Sequence, residues 1–214
     1  IRVWMDGSKP DPSRAIEITD QHDWLDWDWS SDTTQALNCL VAWIFAGGSI
    51  GSDYHVPLFT VETDNHETVL RNLLYTAVDV RPQYYERTEN RAREMTIRDH
   101  QSVFGRFLAA LGAPVGTKNA DRSDLSLPSY LREAPEPQRR AFARTYIWLR
   151  GTDRPDRPNR PVQIFEQRSA SYRAEVRALL NGLVPEAVTA TSNTLTLSKA
   201  AAEELHQPPT IGVS

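Results

Sequence analysis

One cysteine, Cys39, stands among 214 residues, so no internal disulfide can form and no cysteine-rich zinc module fits. Apolar runs are short as well. The longest, Leu40 to Ala46, has seven residues, against roughly 20 for a membrane-spanning helix. The polar, proline-containing start lacks the basic-then-apolar pattern of a secretory signal. The cytoplasm, or association with the nucleoid, is therefore the expected location, with no membrane partner. The chain begins with Ile1 rather than Met, as expected of a piece of a longer protein. Lysine is rare, with three residues against 21 arginines. The five histidines are scattered, and none pairs at metal-ligand spacing. No glycine-rich phosphate loop and no nucleophile elbow is present.

What is there suffices for one large domain or two small packed halves, with 40% hydrophobic residues. The net charge of −4 is unevenly placed. Residues 1–33 carry eight acids against three bases, whereas 139–168 carry eight arginines against three acids. The whole-chain charge argues against a strong nucleic-acid binder, and the local basic stretch argues for one.

Residues 1–33 read as an acidic, Trp-rich extension, with Arg14-Ala15-Ile16-Glu17-Ile18-Thr19 alternating like a short strand. Trp24, Trp27 and Trp29 alternate with acids and are expected to pack as a surface flap. From Thr34 the spacing of Leu37, Leu40, Val41, Ile44 and Phe45 predicts a helix, capped by Ser31, Asp32 or Thr33 and stopped by Gly47-Gly48. An extended run at 54–62 follows, then a helix capped by Thr63 or Asp64, and extended runs at 79–86 and 92–98 joined by the turn Arg87-Thr88-Glu89-Asn90. A helix at 100–111 closes the unit 34–112. After a Pro-rich linker at 113–137 the order recurs over 138–206, before a tail at 207–214. It comprises a helix at 138–149, a strand at 162–167, a helix from Ser171, strands at 187–190 and 194–197, and a helix at 199–205. Gly48 and Gly151, each closing the first helix of its unit, lie 103 residues apart. The pattern predicts an internal duplication.

This order resembles the double-motif LAGLIDADG homing endonucleases, whose halves each begin with a helix ending in an acid followed by glycine. The first motif here is Leu40-Val41-Ala42-Trp43-Ile44-Phe45-Ala46-Gly47-Gly48, and the second is Phe142-Ala143-Arg144-Thr145-Tyr146-Ile147-Trp148-Leu149-Arg150-Gly151. Between them, Leu111-Gly112, Gly116-Thr117-Lys118-Asn119 and Pro128-Ser129-Tyr130 are similar to the family's linker pattern. The resemblance implies an α/β (α+β) fold of two pseudo-symmetric αβαββα repeats. Their antiparallel sheets would form a saddle for double-stranded DNA, with the motif helices packed at the axis. Small residues at the helix contact are supplied by Ala42 and Ala46, whereas Thr145 and the bulkier Leu149 take the matching places.

The family's chemistry needs one carboxylate at each motif-helix end, holding divalent metal, usually Mg²⁺. Matched position by position, those acids fall on Gly47 and Arg150. Glycine offers no ligand, and a guanidinium repels a cation. Cleavage by the family's route is expected to be absent and no cofactor is required, while Arg150 suits a phosphate through its planar fork. Asp53 and Asp153, in the loops beyond the two tips, are the fallback acids, with Mg²⁺ if cleavage survives.

The implied DNA-facing residues are Arg81, Gln83, Tyr85, Arg91, Arg93, Arg98 and Lys118, with Arg154, Arg157, Arg160, Gln163 and Arg168 in the second half. Arginine and glutamine read base edges or bind phosphate. Alternating polar residues equally mark the wet face of any antiparallel sheet. The last two strands carry no basic residue. Thr19-Asp20-Gln21-His22, with Gly7, resembles an intein's Thr-x-x-His strand, although residue 1 is not a nucleophile and no terminal His-Asn is present. Three functions stay open. The first is a DNA-binding domain without cleavage, the second a nuclease using Asp53 and Asp153. The third is a structural domain that meets a protein partner, or the rest of a larger polypeptide, through residues 1–33.

Overall fold

The computed structural model describes residues 11–79, 81–85, 93–118 and 124–210. The turn 87–90, Arg91, Gly7 and Asn119 lie outside the described residues. Helix α1 spans Asp11–Gln21. The first repeat follows as α2 (Asp32–Ala46), β1 (Gly48–Ile50), β2 (Pro57–Val61), α3 (Asp64–Val78), β3 (Pro82–Tyr85), β4 (Arg93–Ile97) and α4 (Gln101–Ala110). A 3-10 turn at Ser129–Arg132 leads into the second repeat. That repeat comprises α5 (Glu136–Arg150), β5 (Gly151–Asp153), β6 (Val162–Phe165), α6 (Ala170–Asn181), β7 (Val188–Ala190), β8 (Thr194–Leu197) and α7 (Lys199–Leu205). No described helix is long and apolar enough to cross a membrane.

Each repeat has one strand more than the sequence pattern indicates. The additions, β1 and β5, follow the motif helices directly and are three residues long, too short to show a period of two. They complete two antiparallel sheets of identical connectivity, ordered β1-β2-β4-β3 and β5-β6-β8-β7. Gly48 pairs with Phe59 in one sheet and Gly151 with Ile164 in the other.

The duplication extends to side chains. Thr63 caps α3 by accepting from the His66 amide at 3.1 Å, and Ser169 caps α6 by accepting from the Tyr172 amide at 3.2 Å. Each of those later residues reaches across the axis. The His66 ring packs edge-on against Trp148 of α5, with centroids 4.5 Å apart, and the Tyr172 ring stacks on Phe45 of α2 at 6.0 Å. Phe45 and Trp148 hold equivalent places in the two motif helices.

Helices α2 and α5 run side by side in the same direction and pack against each other more extensively than any other pair of elements. From Ala36 to Ala46 every residue of α2 is buried, the pattern of a helix enclosed on all sides. Ala42, Ala46 and Thr145 are buried at the contact, and the Thr145 hydroxyl bonds back to the Ala141 carbonyl at 2.9 Å, so it costs nothing unpaired. Leu149 is accommodated half-buried beyond them. At the other end of the pair Asn38 donates to the Gln138 carbonyl at 2.8 Å and accepts from the Tyr130 hydroxyl at 2.8 Å, while Gln138 donates to the Trp29 carbonyl.

The N-terminal segment corrects two expectations. Residues 14–19 are helical, not a strand, and Thr19-x-x-His22 ends that helix instead of lying on an intein-like strand. Pro12 sits in the first turn, where its missing N–H is harmless. The helix turns Ile18 and Thr19 inward and leaves Ile16 exposed, so two isoleucines at a spacing of two do not share a face. Trp24 is core, not flap. It is 2% exposed, donates to the Ala77 carbonyl and stacks on Phe107 of α4.

Both motif helices stop at glycines without room for a side chain. A Cβ on Gly48 would come within 2.7 Å of the Leu58 carbonyl oxygen and 2.8 Å of Ile44, and one on Gly151 within 2.7 Å of the Ile147 oxygen and 2.8 Å of Val162. At Gly47 the nearest atom would be Thr60 Cβ at 3.7 Å, an ordinary contact. Gly48→Ala and Gly151→Ala are therefore expected to lower unfolding free energy by about 1–3 kcal/mol each, and Gly47→Ala by less than about 1 kcal/mol, in urea denaturation.

Candidate functional site

A helix leaves its last carbonyls unpaired and carries a partial negative charge at its C-terminus. Here two such ends, Ala46-Gly47 and Leu149-Arg150, open onto one cleft of ≈ 690 Å³. Its walls include Gly48, Glu62, Lys118, Gly151, Thr152 and the stretch Phe165-Glu166-Gln167-Arg168.

Cations meet the helix ends from three parts of the chain. The Lys118 ammonium, delivered by the linker, donates to the carbonyls of Ile44 and Gly48. Arg168, on the connection between β6 and α6, crosses the axis to donate to the Phe45 carbonyl at 2.5 Å. Its other nitrogen bonds the Tyr172 hydroxyl at 2.9 Å, and its guanidinium lies over the Tyr172 ring at 4.9 Å. Arg150, the last residue of α5, donates to the Phe165 carbonyl at 2.6 Å.

One buried carboxylate faces these three. Glu166 is 1% exposed, accepts from the Tyr146 hydroxyl and the Arg168 amide, and lies 3.5 Å from the Arg168 guanidinium and 3.6 Å from that of Arg150. Burial pushes the Tyr146 and Tyr172 hydroxyls above the usual tyrosine range, so both remain protonated, Tyr146 donating to Glu166 and Tyr172 accepting from Arg168. Burial, together with the charges of Arg168 and Arg150, pulls Lys118 down to about 7, and Glu166 offsets only part of this. With Lys118 protonated, three cations line the cleft against the two carboxylates Glu62 and Glu166; with Lys118 neutral, the charges balance.

The positions matched to the family's acids are thus a bare backbone at Gly47 and a cation at Arg150. This donor set does not fit a divalent metal. Glu166 is already engaged by one hydroxyl and two guanidinium groups, and Glu62 alone adds a further carboxylate at the rim. Among the described residues no group of three or more His, Cys, Asp or Glu side chains is placed to hold a metal ion.

The other expected residues are dispersed. Asp53 lies in the exposed turn after β1, where Ser52 donates to it at 3.3 Å, and Asp153 is 80% exposed at the end of β5, with His206 Nδ1 at 3.5 Å. Neither is among the residues lining the cleft. Gln83 and Tyr85 lie exposed on the sheet face turned away from the helices, and Arg81 and Arg98 are exposed at strand ends. Arg93 lies on the opposite face, because it shares strand parity with the buried Met95 and Ile97. It pairs with Asp64 at 3.1 Å and Glu67 at 3.5 Å, both on α3. Arg157 and Arg160 are exposed in the 154–161 loop. Arg154 in that loop donates to Gln163 at 2.8 Å, and Gln163 sits beside Thr152 and Thr196 on the outer face of the second sheet. Arg168 is 6% exposed and belongs to the interior, not to the sheet surface. The acidic segment around Trp24 contributes nothing to the cleft.

Glu166 and Phe165 escaped the sequence reading. Val162, Ile164 and Glu166 share the core-facing parity of β6 and its extension, so an acid third in that row signals a buried partner for charge. Phe165 points the other way and is 52% exposed beside Arg150.

Neither a family model nor a curated protein matches the sequence. Solved structures do match the fold. One is a crystal structure of I-DmoI in complex with DNA and Mn, with a TM-score of 0.50, 12% identity, and coverage of 80% of this chain and 96% of that one. Another is the homing endonuclease I-WcaI bound to its DNA recognition sequence, with a TM-score of 0.54, 11% identity, and coverage of 94% and 88%. The likeness defines the fold class, the two-repeat LAGLIDADG architecture that the motifs lead one to expect.

The depressed Lys118 carries a sign that can be measured. Unfolded, the amine stays protonated up to its ordinary 10.5, whereas the folded amine loses its proton near 7. Between these values the unfolded chain binds the extra proton, so stability rises with pH, and below about 7 the full cost is present. Denaturation midpoints should rise by the equivalent of about 2–5 kcal/mol across that window, and Lys118→Met should remove this part of the slope.

Proposed function

We propose that this chain is a DNA-binding domain built on the LAGLIDADG homing-endonuclease scaffold that does not cut DNA. One observation carries the reading: both motif-helix tips lack a carboxylate, and the cleft they share is lined by Lys118, Arg150 and Arg168. Support for double-stranded DNA as the partner comes from the two similar structures, both bound to DNA. The exposed Arg81, Gln83, Tyr85 and Arg98 at one sheet, and at the other the exposed loop residues Arg157 and Arg160 with the half-buried Arg154 and Gln163, supply donors to bases and phosphates. Arg93 and Arg168 are engaged within the fold, the first tying β4 to α3 at the surface and the second holding the axis from the interior.

The reading in which Asp53 and Asp153 replace the lost acids has less support, since both carboxylates lie exposed outside the cleft. A role confined to protein contacts is also less supported, because the described part of the acidic segment is packed on α4 through Trp24.

Incubation with a plasmid library in Mg²⁺ or Mn²⁺ should yield no specific double-strand cut. Duplex binding in chelator should persist, with affinity falling about 10³-fold or more between roughly 50 and 200 mM salt. A specific cut abolished by Asp53→Asn would overturn the reading, and so would duplex affinity indifferent to salt.

A further inference from the structure

We infer that the cleft between the helix tips is a seat for a phosphate-type oxyanion, formed by Arg150 and Lys118 and braced by Arg168 and Glu166. The inference rests on the proposed reading in taking a DNA phosphodiester as the natural occupant, and it departs from the metal chemistry that the scaffold implies.

Three observations carry it. The first is charge. With Lys118 protonated, three cations face two carboxylates in the cleft, Glu62 and the buried Glu166, and Glu166 is shared between Arg168 and Arg150 at 3.5 and 3.6 Å. Buried charge persists when it is paired, so an excess of one sign at an open cleft points to a ligand of the other sign. The second is geometry. Arg168 has its guanidinium committed to Phe45 and Tyr172 and lies 6% exposed, whereas the Arg150 side chain is 28% exposed and only one of its nitrogens is engaged by a backbone carbonyl. Arg150 therefore retains donors that can turn into the cleft, in the fork that matches two oxygens of a tetrahedral anion. The third is room. The cleft is far larger than one anion, and the bare Gly47 leaves its first wall open.

Proton uptake follows from the neighbours of Lys118. From α2 and β1 it meets only carbonyl oxygens, those of Ile44 and Gly48. From α5 and the β6–α6 connection it meets Arg150, Arg168 and Glu166, and Glu62 lines the same cleft from the end of β2. Burial and the two guanidinium charges hold its amine near 7. An anion between Arg150 and Lys118 cancels that repulsion and restores the proton. Duplex binding should then need no metal and should tighten as pH falls.

The test uses the full chain in EDTA with two probes, duplex DNA and sodium sulfate. Sulfate does not titrate near neutrality, and chloride at matched ionic strength is its control. Duplex affinity should rise about ten-fold between roughly pH 8.5 and pH 6, and Lys118→Met and Arg150→Gln should each lose most of that rise. Arg150→Lys, which keeps the charge, should keep the pH dependence. Sulfate should raise the melting temperature of the unaltered chain more than that of Arg150→Gln, with circular dichroism confirming that the variant is folded and Arg150→Lys as the charge-keeping control. Duplex binding that is independent of pH and equal in Arg150→Gln overturns the seat and leaves the DNA reading standing. Sulfate stabilisation that depends on Arg150 without any duplex binding supports the seat and overturns DNA as its occupant.

Discussion

Two helices end side by side at the centre of this molecule, and the carbonyls at those ends need donors that the helices cannot supply. The rest of the site follows from that constraint. Two negative helix ends in one enclosed place attract positive charge, and a protein can meet the demand with metal ions held by carboxylates or with its own cationic side chains. This chain uses the second solution. Lys118 takes the carbonyls of Ile44 and Gly48, and Arg168 takes that of Phe45 from the far side of the axis. With those positions taken by the protein's own cations, a further cation beside Arg150 meets repulsion, and the carboxylate within reach, Glu166, is already engaged by Arg168 and Arg150.

The axis itself explains how the scaffold is retained at 11–12% identity to the solved structures it matches. Its requirements are steric and local. They are a helix buried on all sides, small residues at the crossing, a glycine where each chain turns from helix to strand, and one capped helix per repeat that sends a ring to the opposite motif helix. Many sequences meet these conditions. The acids at the helix tips are not among them, because Gly47 and Arg150 occupy the tips without disturbing either sheet. The fold therefore does not depend on acids at the helix tips.

Much of the architecture was legible in the residues. Apolar spacing from Leu37 to Phe45, the Thr63 cap and the glycines 103 residues apart lead directly to the paired repeats. Other features were hidden for identifiable reasons. β1 and β5 are shorter than one full alternation, so a helix stop and a strand start fall on adjacent residues. In α1, Ile16 and Ile18 mimic strand alternation although only Ile18 is buried. At the site, the losses at Gly47 and Arg150 could be seen by matching motifs. The fates of Arg93 and Arg168 could not, because a basic residue near a sheet gives no sign of which face it takes until its strand register is fixed. Glu166 left a faint signal, an acid in a row of core positions, that gains meaning only once three cations surround it.

The helix-tip cleft gathers three basic side chains, and its buried carboxylate is already engaged by two of them. Anomalous diffraction from crystals of this chain on duplex DNA, soaked in Mn²⁺, tests most directly whether a divalent ion is seated there. The account predicts no manganese peak between Gly47 and Arg150, with a backbone phosphate beside Arg150 instead. A manganese ion on the axis, ligated by any carboxylate of the chain, would contradict it.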